Sequence, residues 1–270
     1  MSSSRTHDLA SDLDLARHAI TEAGRVVMRS FRTHQEVRHK SPDQPVTDAD
    51  LAADALLRDR LGVARPGYGW LSEESEASAD RLDRRRVWVV DPVDGTRSFI
   101  QGYAEFALSV ALVEGDAVVM GVLHNPARDE LFWAVRGDGA FDADGTRLAV
   151  RGPDDSPLTL LASRSEIARG ELAPFRPDFE IRPLGSTAYK LAGVAAGDAH
   201  GYISRGPKSE WDLAAAALLV VEAGGRVSDI GGRPLRFNQP DPRIEGVISG
   251  SPDVHGRLVE RARGLAGPGR

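Results

Sequence analysis

Two aspartates, Asp91 and Asp94, directly follow a short apolar segment that has the composition of a buried strand. The segment, residues 87–90, contains only valine and tryptophan, and β-branched and aromatic residues favour strands. Pro92 fixes its own φ, and Gly95 permits a sharp turn. The two carboxylates are therefore expected at the mouth of the strand, where burial without partners would be costly. A divalent cation would satisfy them, although Asp-Pro and Asp-Gly pairs also form ordinary turns.

Acidic residues in three other segments have both a structural and a chemical interpretation. Glu73 and Glu74 stand together, a pattern also typical of a solvated loop or a helix start. Asp50 lies where helix capping is the default interpretation, and Asp212 precedes the apolar residues 213–221, where an N-cap is expected. The N-terminus of a helix also places N–H groups and a favourable dipole beside an anion such as phosphate. Taken singly, these acids leave both interpretations open.

Hydrophobic periodicity predicts the elements of the first half of the chain. Apolar residues recur at three- and four-residue steps over residues 8–31 and 48–61, which indicates two amphipathic helices. A polar break, residues 32–45, separates them. Strands are predicted further on, the first two as a hairpin: residues 106–113, 117–123 and 131–135. The first half should therefore consist of helices followed by a largely antiparallel sheet.

A segment rich in proline, glycine and aspartate, residues 151–157, is the best candidate for an internal boundary. Beyond it, predicted strands and helices alternate, in this order: strand 158–162, helix 186–196, strand 201–204, helix 211–223, strand 246–249 and helix 253–263. Such alternation indicates α/β layering. We therefore expect an N-terminal α+β half, residues 1–150, and a C-terminal α/β half, residues 151–270, within one compact catalytic unit.

Composition narrows the classes of function. The 270 residues include no cysteine, which excludes disulfides, thiolate metal sites and cysteine nucleophiles and fits a cytoplasmic protein. A net charge of −6 argues against nucleic acid as a partner and suits hard cations, which prefer oxygen ligands. Residues 1–10 have no apolar stretch that could act as a signal. No segment approaches the roughly 20 apolar residues of a membrane span, so no membrane partner is expected.

Taken in order, the four acidic segments resemble the motifs of the inositol monophosphatase superfamily. The matching strings are Pro45-Val46-Thr47 with Asp50, Glu73-Glu74-Ser75, Asp91 to Thr96 preceded by Trp88 and followed by Phe99, and Trp211-Asp212 with Glu222 to Gly225. The resemblance covers about residues 10–260, and four ordered motifs are far more specific than any one of them. It implies the layered αβαβα sandwich of the sugar phosphatases, an α/β (α+β) fold, and a Mg²⁺-dependent phosphomonoesterase.

The resemblance also implies which residues hold the metal ions. The first ion would be bound by Glu73, Asp91 and the backbone carbonyl of Val93. The second would be bound by Asp91, Asp94 and Asp212. Mg²⁺ prefers carboxylates, waters and phosphate oxygens, and two metals about 3.5–4 Å apart can clamp both the attacking and the leaving oxygen of a displacement.

A third, looser metal is implied near Glu73 and, through water, Asp50, which makes two or three Mg²⁺ per site. Thr96 together with Asp50 is implied to take a proton from the attacking water. The implied catalytic residues are thus Asp50, Thr96, Glu73 and Asp91, and the implied substrate contacts at the metal site are Asp94, Gly95, Thr96 and Asp212. A homodimer and inhibition by lithium are expected from the resemblance alone.

Residues outside the metal site indicate the substrate. Inositol-specific members usually carry a glutamate shortly before the Trp-Asp motif, where this sequence has Ser204 and Arg205. An arginine there indicates a second anionic group on the substrate. Three strings resemble the 3'(2'),5'-bisphosphate nucleotidases: residues 162–165, Gly185-Ser186 with Lys190, and Gly206-Pro207 leading to residues 210–212. Ser186, Lys190 and Arg205 are therefore predicted substrate contacts, the last two with a 5'-phosphate, although Lys190 could equally lie on the surface of its helix.

The preferred interpretation is a bisphosphate nucleotidase that converts 3'-phosphoadenosine 5'-phosphate to AMP and phosphate. Residues 97–100 with Gly102 resemble histidinol-phosphate phosphatases instead, and inositol 1-phosphate stays open because many bacterial members are broad. Some superfamily members act as binding partners of the transcription machinery, which is the non-enzymatic alternative. The complete set of acids favours an enzyme acting on a small phosphorylated metabolite, since binding alone would not require them.

Overall fold

Seven α-helices occur in the part of the chain that the computed structural model describes, residues 2–33, 36–41, 44–154 and 157–266. They are α1 (Ser2–Met28), α2 (Asp48–Ala64), α3 (Thr96–Ile100), α4 (Arg164–Ala168), α5 (Thr187–Ala195), α6 (Glu210–Glu222) and α7 (Pro252–Ala266). The five helices predicted from periodicity are confirmed, although α1 ends three residues early and α2 runs three residues further. None of the described helices is long and apolar enough to cross a membrane.

Fifteen strands in the same part of the chain form two large sheets and two small ones. The six-stranded sheet has the order β3 (Gly69–Ser72), β4 (Arg86–Asp94), β5 (Ala107–Glu114), β6 (Ala117–Asn125), β7 (Glu130–Val135), β8 (Gly139–Asp142). The five-stranded sheet has the order β10 (Glu180–Pro183), β9 (Thr159–Ala162), β11 (Gly201–Ser204), β15 (Val247–Gly250), β13 (Arg226–Ser228). The small sheets pair β1 (Val37–Ser41) with β2 (Gln44–Thr47) and β12 (Lys208–Ser209) with β14 (Arg243–Ile244).

The elements stack in five layers. α1 and α2 cover one face of the six-stranded sheet, where their apolar residues pack around Trp88 and Phe99. α5 and α6 lie between the two large sheets, and α7 covers the far face of the five-stranded sheet. β4 is covered on both faces and all of its residues are buried, as expected of a strand that reads as a continuous apolar run. The predicted αβαβα sandwich is therefore confirmed.

The six-stranded sheet is largely antiparallel, as predicted, because β3 and β4 are its one parallel pair among the described strands. The predicted polar break at residues 32–45 lies between α1 and α2, as expected, but it also contains β1 and part of β2, which the sequence pattern does not predict. Four of the five residues of β1 are exposed, so no apolar alternation reveals the strand. The pattern also fails to predict β3, β8 and β10, which are only four residues long and depend on their neighbours.

The predicted boundary between residues 150 and 151 falls between the two large sheets. Strands of the six-stranded sheet end at residue 142, and those of the five-stranded sheet begin at residue 159. The core between the sheets draws on both halves, for example on Val89 and Leu161. The two halves therefore share a core, and their division at residue 150 within one compact catalytic unit stays a prediction.

A buried ion network anchors α1 to the six-stranded sheet. Asp12 of α1 is fully buried. Its Oδ1 accepts a hydrogen bond of 2.6 Å from Arg65 Nε, and its Oδ2 accepts one of 3.1 Å from Arg86 Nη1. Tyr68 donates to the same Oδ2 at 2.9 Å, and Arg86 Nε reaches Glu114 at 3.0 Å. Removing one partner would leave buried charge unpaired, which is strongly destabilising.

Asp12→Asn tests this network. The variant leaves Arg86 buried with a weaker partner, so we expect the free energy of unfolding to fall by about 3 kcal/mol. The matched control Asp80→Asn removes an exposed partner of Arg84 and should change the free energy of unfolding much less, because water screens exposed ion pairs. Urea unfolding followed by tryptophan fluorescence gives both values. Equal, small losses in the two variants would show that the network does not contribute to stability.

Candidate active site

The acidic turn at the end of β4 projects its aspartates from an irregular pairing with β5. Asp91 lies opposite Ser109 and Asp94 lies opposite Ala107. An advance of three residues along β4 therefore corresponds to only two residues along β5. The extra residue bends the strand, as β-bulges do. Gly95 then turns the chain with a φ of 96°, and a Cβ there would lie 3.0 Å from a backbone oxygen. The turn therefore requires glycine at this position.

Three carboxylates from different elements meet at this turn. Glu73 comes from the loop after β3, Asp91 from the end of β4, and Asp212 from the first turn of α6. One oxygen of each lies within 4.8 Å of the other two. β3 and β4 run parallel, so their carboxyl ends bring Glu73 and Asp91 to the same edge of the sheet. These three residues are called the carboxylate cluster below.

Asp91 is the least satisfied member of the carboxylate cluster. Its side chain is buried, and Oδ1 accepts a hydrogen bond of 3.0 Å from the backbone N–H of Val93. Its Oδ2 has no hydrogen-bond partner among the described residues. Burial, followed by the charge of Glu73, raises the pKa of Asp91 well above its ordinary value. Burial, followed by the charge of Asp94, raises the pKa of Asp212 to about 8. A divalent cation fits this set of oxygen donors, because it would neutralise the charges and satisfy Oδ2.

Asp50 and Asp212 occupy equivalent positions, the third residue of α2 and of α6. In each, Oδ2 accepts a hydrogen bond of 2.9 Å from the backbone N–H of the N-cap residue, which is Thr47 or Ser209. The N-cap expected at Asp212 is therefore wrong, because Ser209 caps the helix. This reciprocal capping arrangement fixes one oxygen of each aspartate and leaves the other for the site.

Thr96 and Asp50, the predicted proton-accepting pair, lie in contact. Thr96 Oγ1 is 3.0 Å from Asp50 Oδ1 and 3.0 Å from the backbone oxygen of Val93, so its single proton has two acceptors within reach. Burial raises the pKa of Asp50, which makes this carboxylate a better proton acceptor than an exposed one. The geometry suits the predicted pair, and its catalytic role stays a prediction.

Asp94 lies beside the carboxylate cluster. Its Oδ2 accepts hydrogen bonds from the hydroxyl of Ser186 and, at 2.5 Å, from the backbone N–H of Ala188, both at the start of α5. Burial raises the pKa of Asp94. No hydrogen bond from a described residue reaches Oδ1, so that oxygen is the one available to a cation. The metal contacts expected of Asp94 and of the Val93 carbonyl stay predictions.

The acidic turn opens into a cavity of about 450 Å³. Gly95, Thr96 and Ser186 line it, and their contact with a substrate stays a prediction. Three acids and three cations also line it: Glu73, Asp94, Asp212, Arg97, Arg164 and Lys190. A cavity of this size suits a small metabolite, and its mixed charge suits a ligand that carries anionic groups.

The structure places the two predicted second-anion contacts differently. Lys190 is 2% exposed and lines the cavity, so the surface alternative for this residue is wrong. Arg205 is exposed and is not among the residues that line the cavity. Its backbone N–H donates to Glu166 Oε1 at 3.1 Å. The structure therefore does not bring the Arg205 side chain to the other predicted contacts, and its role stays a prediction.

Lys40 is a residue of this site that the sequence does not reveal. Its ammonium lies 2.8 Å from Glu73 Oε1 and 2.8 Å from Glu74 Oε1. Burial raises the pKa of Glu74 to about 7, although Lys40 works against that shift. Lys40 belongs to β1, in the segment predicted as a polar break, where a lysine among polar residues carries no signal. It supplies one positive charge to the carboxylate cluster.

A layered αβαβα sandwich with a carboxylate cluster at the end of β4 is the architecture of a metal-dependent phosphatase. The model of the inositol monophosphatase family matches residues 8–265, and the chain belongs to this family. Its members are metal-dependent phosphatases. The chain is therefore a hydrolase that acts on phosphoric monoesters.

Similar proteins span most of the chain. An inositol-1-monophosphatase from Mesorhizobium japonicum is 40% identical over 263 residues, which cover 93% of this chain and 96% of the relative. Nus factor SuhB from Escherichia coli (strain K12) is 35% identical over 231 residues, with coverage of 82% and 85%. The crystal structure of the extragenic suppressor protein suhB from Bartonella henselae has a TM-score of 0.82 at 33% identity and covers 93% of this chain and 97% of its own.

Metal binding should change thermal stability in a pH-dependent way. The pKa of Asp212, raised to about 8, stabilises the chelator-treated protein fully below about pH 4, the ordinary aspartate range, and this contribution is lost as the pH rises through about 8. We expect Mg²⁺ to raise Tm by about 5 °C at pH 8 and by less at pH 5.5, where it must displace protons. Scanning fluorimetry in EDTA and in Mg²⁺ measures this shift of Tm. NaCl at matched ionic strength is the control. An equal shift at both pH values would contradict the assignment.

Proposed function

We propose that this phosphatase acts on a small metabolite with two anionic groups, and that its substrate is 3'-phosphoadenosine 5'-phosphate, with AMP and phosphate as products. The observation that carries the proposal is the lining of the cavity. Glu73 and Asp212 of the carboxylate cluster share it with Arg97, Arg164 and Lys190. One phosphate would lie at the carboxylate cluster and the other against the exposed cations Arg97 and Arg164, which bind such groups through charge-assisted hydrogen bonds.

Glu73, Asp91 and Asp212 are proposed to hold the divalent cations, with Mg²⁺ as the natural ion and two or three per site. When bound, such ions acidify a water and stabilise the charge that develops on the phosphoryl group. Asp94 through Oδ1 and Val93 through its carbonyl are proposed as further ligands. The chain's own contribution is orientation, since a backbone N–H fixes one oxygen of Asp91 and one of Asp212.

Thr96 and Asp50 are proposed to take the proton of the attacking water. The Thr96 hydroxyl would accept this proton while its own passes to Asp50 Oδ1, 3.0 Å away. Asp50 can receive it because burial raises its pKa, and its Oδ2 stays anchored by Thr47. The nucleophile is a water in this scheme, so no covalent phosphoenzyme is needed.

Arg164 is the cation best placed to bind the second anionic group. Its guanidinium is held by both oxygens of Glu105, at 2.5 and 2.9 Å, and lies 5.0 Å from the ring of Tyr103. These contacts fix its orientation and use two of its five N–H groups. Lys190 already donates to two backbone carbonyls, so it can offer a substrate at most one further hydrogen bond.

Inositol 1-phosphate is the second candidate substrate. The observation that favours it is the 40% identity to the Mesorhizobium japonicum inositol-1-monophosphatase. Histidinol phosphate is supported only by residues 97–102. Nus factor SuhB is the relative whose name corresponds to the regulatory alternative, but a binding role alone does not require a carboxylate cluster. A homodimer, inhibition by lithium and a cytoplasmic location are proposed from the family resemblance.

Asp91→Asn tests the carboxylate cluster. The amide removes one charge, so phosphate release in Mg²⁺ should fall by about 100-fold or more. The chelator-treated variant should melt above chelator-treated wild type, because repulsion within the cluster is relieved. Asp59→Asn, at an exposed position on α2, is the matched control. Turnover at the wild-type rate in the Asp91 variant would remove the case for this site.

A phosphate-release panel tests the substrate. It compares 3'-phosphoadenosine 5'-phosphate, inositol 1-phosphate, histidinol phosphate and fructose 1,6-bisphosphate, and we expect the highest kcat/KM for the first. Arg164→Gln should raise KM for the adenosine bisphosphate about tenfold while changing KM for inositol 1-phosphate less than twofold. If Arg205→Glu similarly loses the preference for the adenosine bisphosphate over inositol 1-phosphate, Arg205 also binds the second anionic group. If the preference is unchanged, Arg205 does not bind that group. Inositol 1-phosphate as the best substrate would replace the proposal with the second candidate.

A further inference from the structure

Ser186 precedes α5 with a backbone conformation that residues other than glycine rarely adopt. Its φ is 58° and its ψ is 135°, a combination outside the regions allowed to residues with a Cβ. Such strain persists only where the surroundings over-determine it. Ser186 is buried and lines the cavity, so the strain is located at the active site.

Lys190 hydrogen-bonds the backbone carbonyl of Ser186. Its Nζ donates to the backbone oxygen of Ser186 at 2.5 Å and to that of Leu184 at 3.3 Å. On the other side, the backbone N–H of Gly185 donates to Glu105 Oε2 at 2.7 Å. Residues 184–186, called the strained turn below, are therefore held between a cation of α5 and a carboxylate of the N-terminal half.

The strained turn positions the hydrogen-bond donors that hold the Asp94 carboxylate. The Ser186 hydroxyl donates its single proton to Asp94 Oδ2 and accepts a hydrogen bond of 2.9 Å from the backbone N–H of Tyr189. The Ala188 N–H donates to the same carboxylate oxygen at 2.5 Å. Both donors on Oδ2 come from the start of α5, so the position of this turn decides where Asp94 Oδ1 lies.

The geometry points to Lys190 and Ser186 as positioning residues for Asp94: Lys190 stabilises the strained turn, and the turn presents the two donors that fix the carboxylate. Two of the three ammonium hydrogens of Lys190 are used inside the protein, and its Nζ lies 5.2 Å from the ring of the buried Tyr202. Lys190 therefore acts on the turnover of every substrate instead of selecting a second anion. The inference rests on the proposed role of Asp94 Oδ1 as a metal ligand and not on the proposed substrate.

Ser186→Ala and Ser186→Gly form a matched pair that tests the turn. Both remove the hydroxyl, so both should weaken Mg²⁺ binding to the substrate-free enzyme about tenfold in titration calorimetry. Glycine alone relieves the backbone, so chelator-treated Ser186→Gly should melt about 2–5 °C above chelator-treated Ser186→Ala. Wild-type Mg²⁺ affinity in the alanine variant, or a Tm of that variant at or above the glycine variant, would overturn the inference.

Lys190→Met tests the role of the lysine. We expect kcat to fall about tenfold for both the adenosine bisphosphate and inositol 1-phosphate, with KM changed less than twofold and weaker Mg²⁺ binding in the absence of substrate. Arg58→Met is the control. It removes an exposed cation of α2, and both kcat and Mg²⁺ affinity should stay near wild type.

A rise of KM limited to the adenosine bisphosphate, with unchanged Mg²⁺ binding, would show that Lys190 is an anion ligand and would overturn the positioning role. If the wild-type enzyme turns over neither substrate, the proposed function fails while calorimetry still decides the role of Lys190. If Lys190→Met does not fold, the Ser186 pair decides between the same two outcomes.

Discussion

Mutual repulsion among carboxylates is the constraint on which this site depends. Oxygens of Glu73, Asp91 and Asp212 lie within 4.8 Å of one another, and burial raises the pKa of both aspartates. A chain free to relax would move these charges apart. The packed core of the sandwich supplies the stability that keeps them together, which is the usual relation between an active site and its scaffold. A divalent cation suits such a cluster because one ion can neutralise several carboxylates at once.

The ends of secondary-structure elements hold these charges in place. Asp50 and Asp212 are third residues of capped helices, Asp94 binds the start of α5, and Asp91 directly precedes a bulge in β4. The first N–H groups of a helix have no partner within it and carry partial positive charge. Helix starts are therefore where a fold can stabilise several acids close together. The αβαβα layering brings three such starts to the end of a single strand.

Burial separates the roles of Arg164 and Lys190, two of the three cations on the cavity wall. Arg164 lies at an accessible position, oriented by Glu105, and keeps N–H groups for a ligand. Lys190 is buried and donates to backbone carbonyls of the strained turn. A buried ammonium must find acceptors inside the protein, so it contributes to the shape of the site. An accessible guanidinium can exchange water for a phosphate.

The long helices, the hairpin of β5 and β6, and the acids of the carboxylate cluster could all be predicted from the amino-acid sequence. Periodic apolar patterns are local, and the acids stand in ordered motifs, so both can be recognised without a structure. Three features of the site follow from the fold alone: Lys40 reaches Glu73, Lys190 is buried under the strained turn, and Arg205 lies outside the cavity. These outcomes depend on contacts between residues far apart in the chain, and such contacts leave no periodic signal in the sequence.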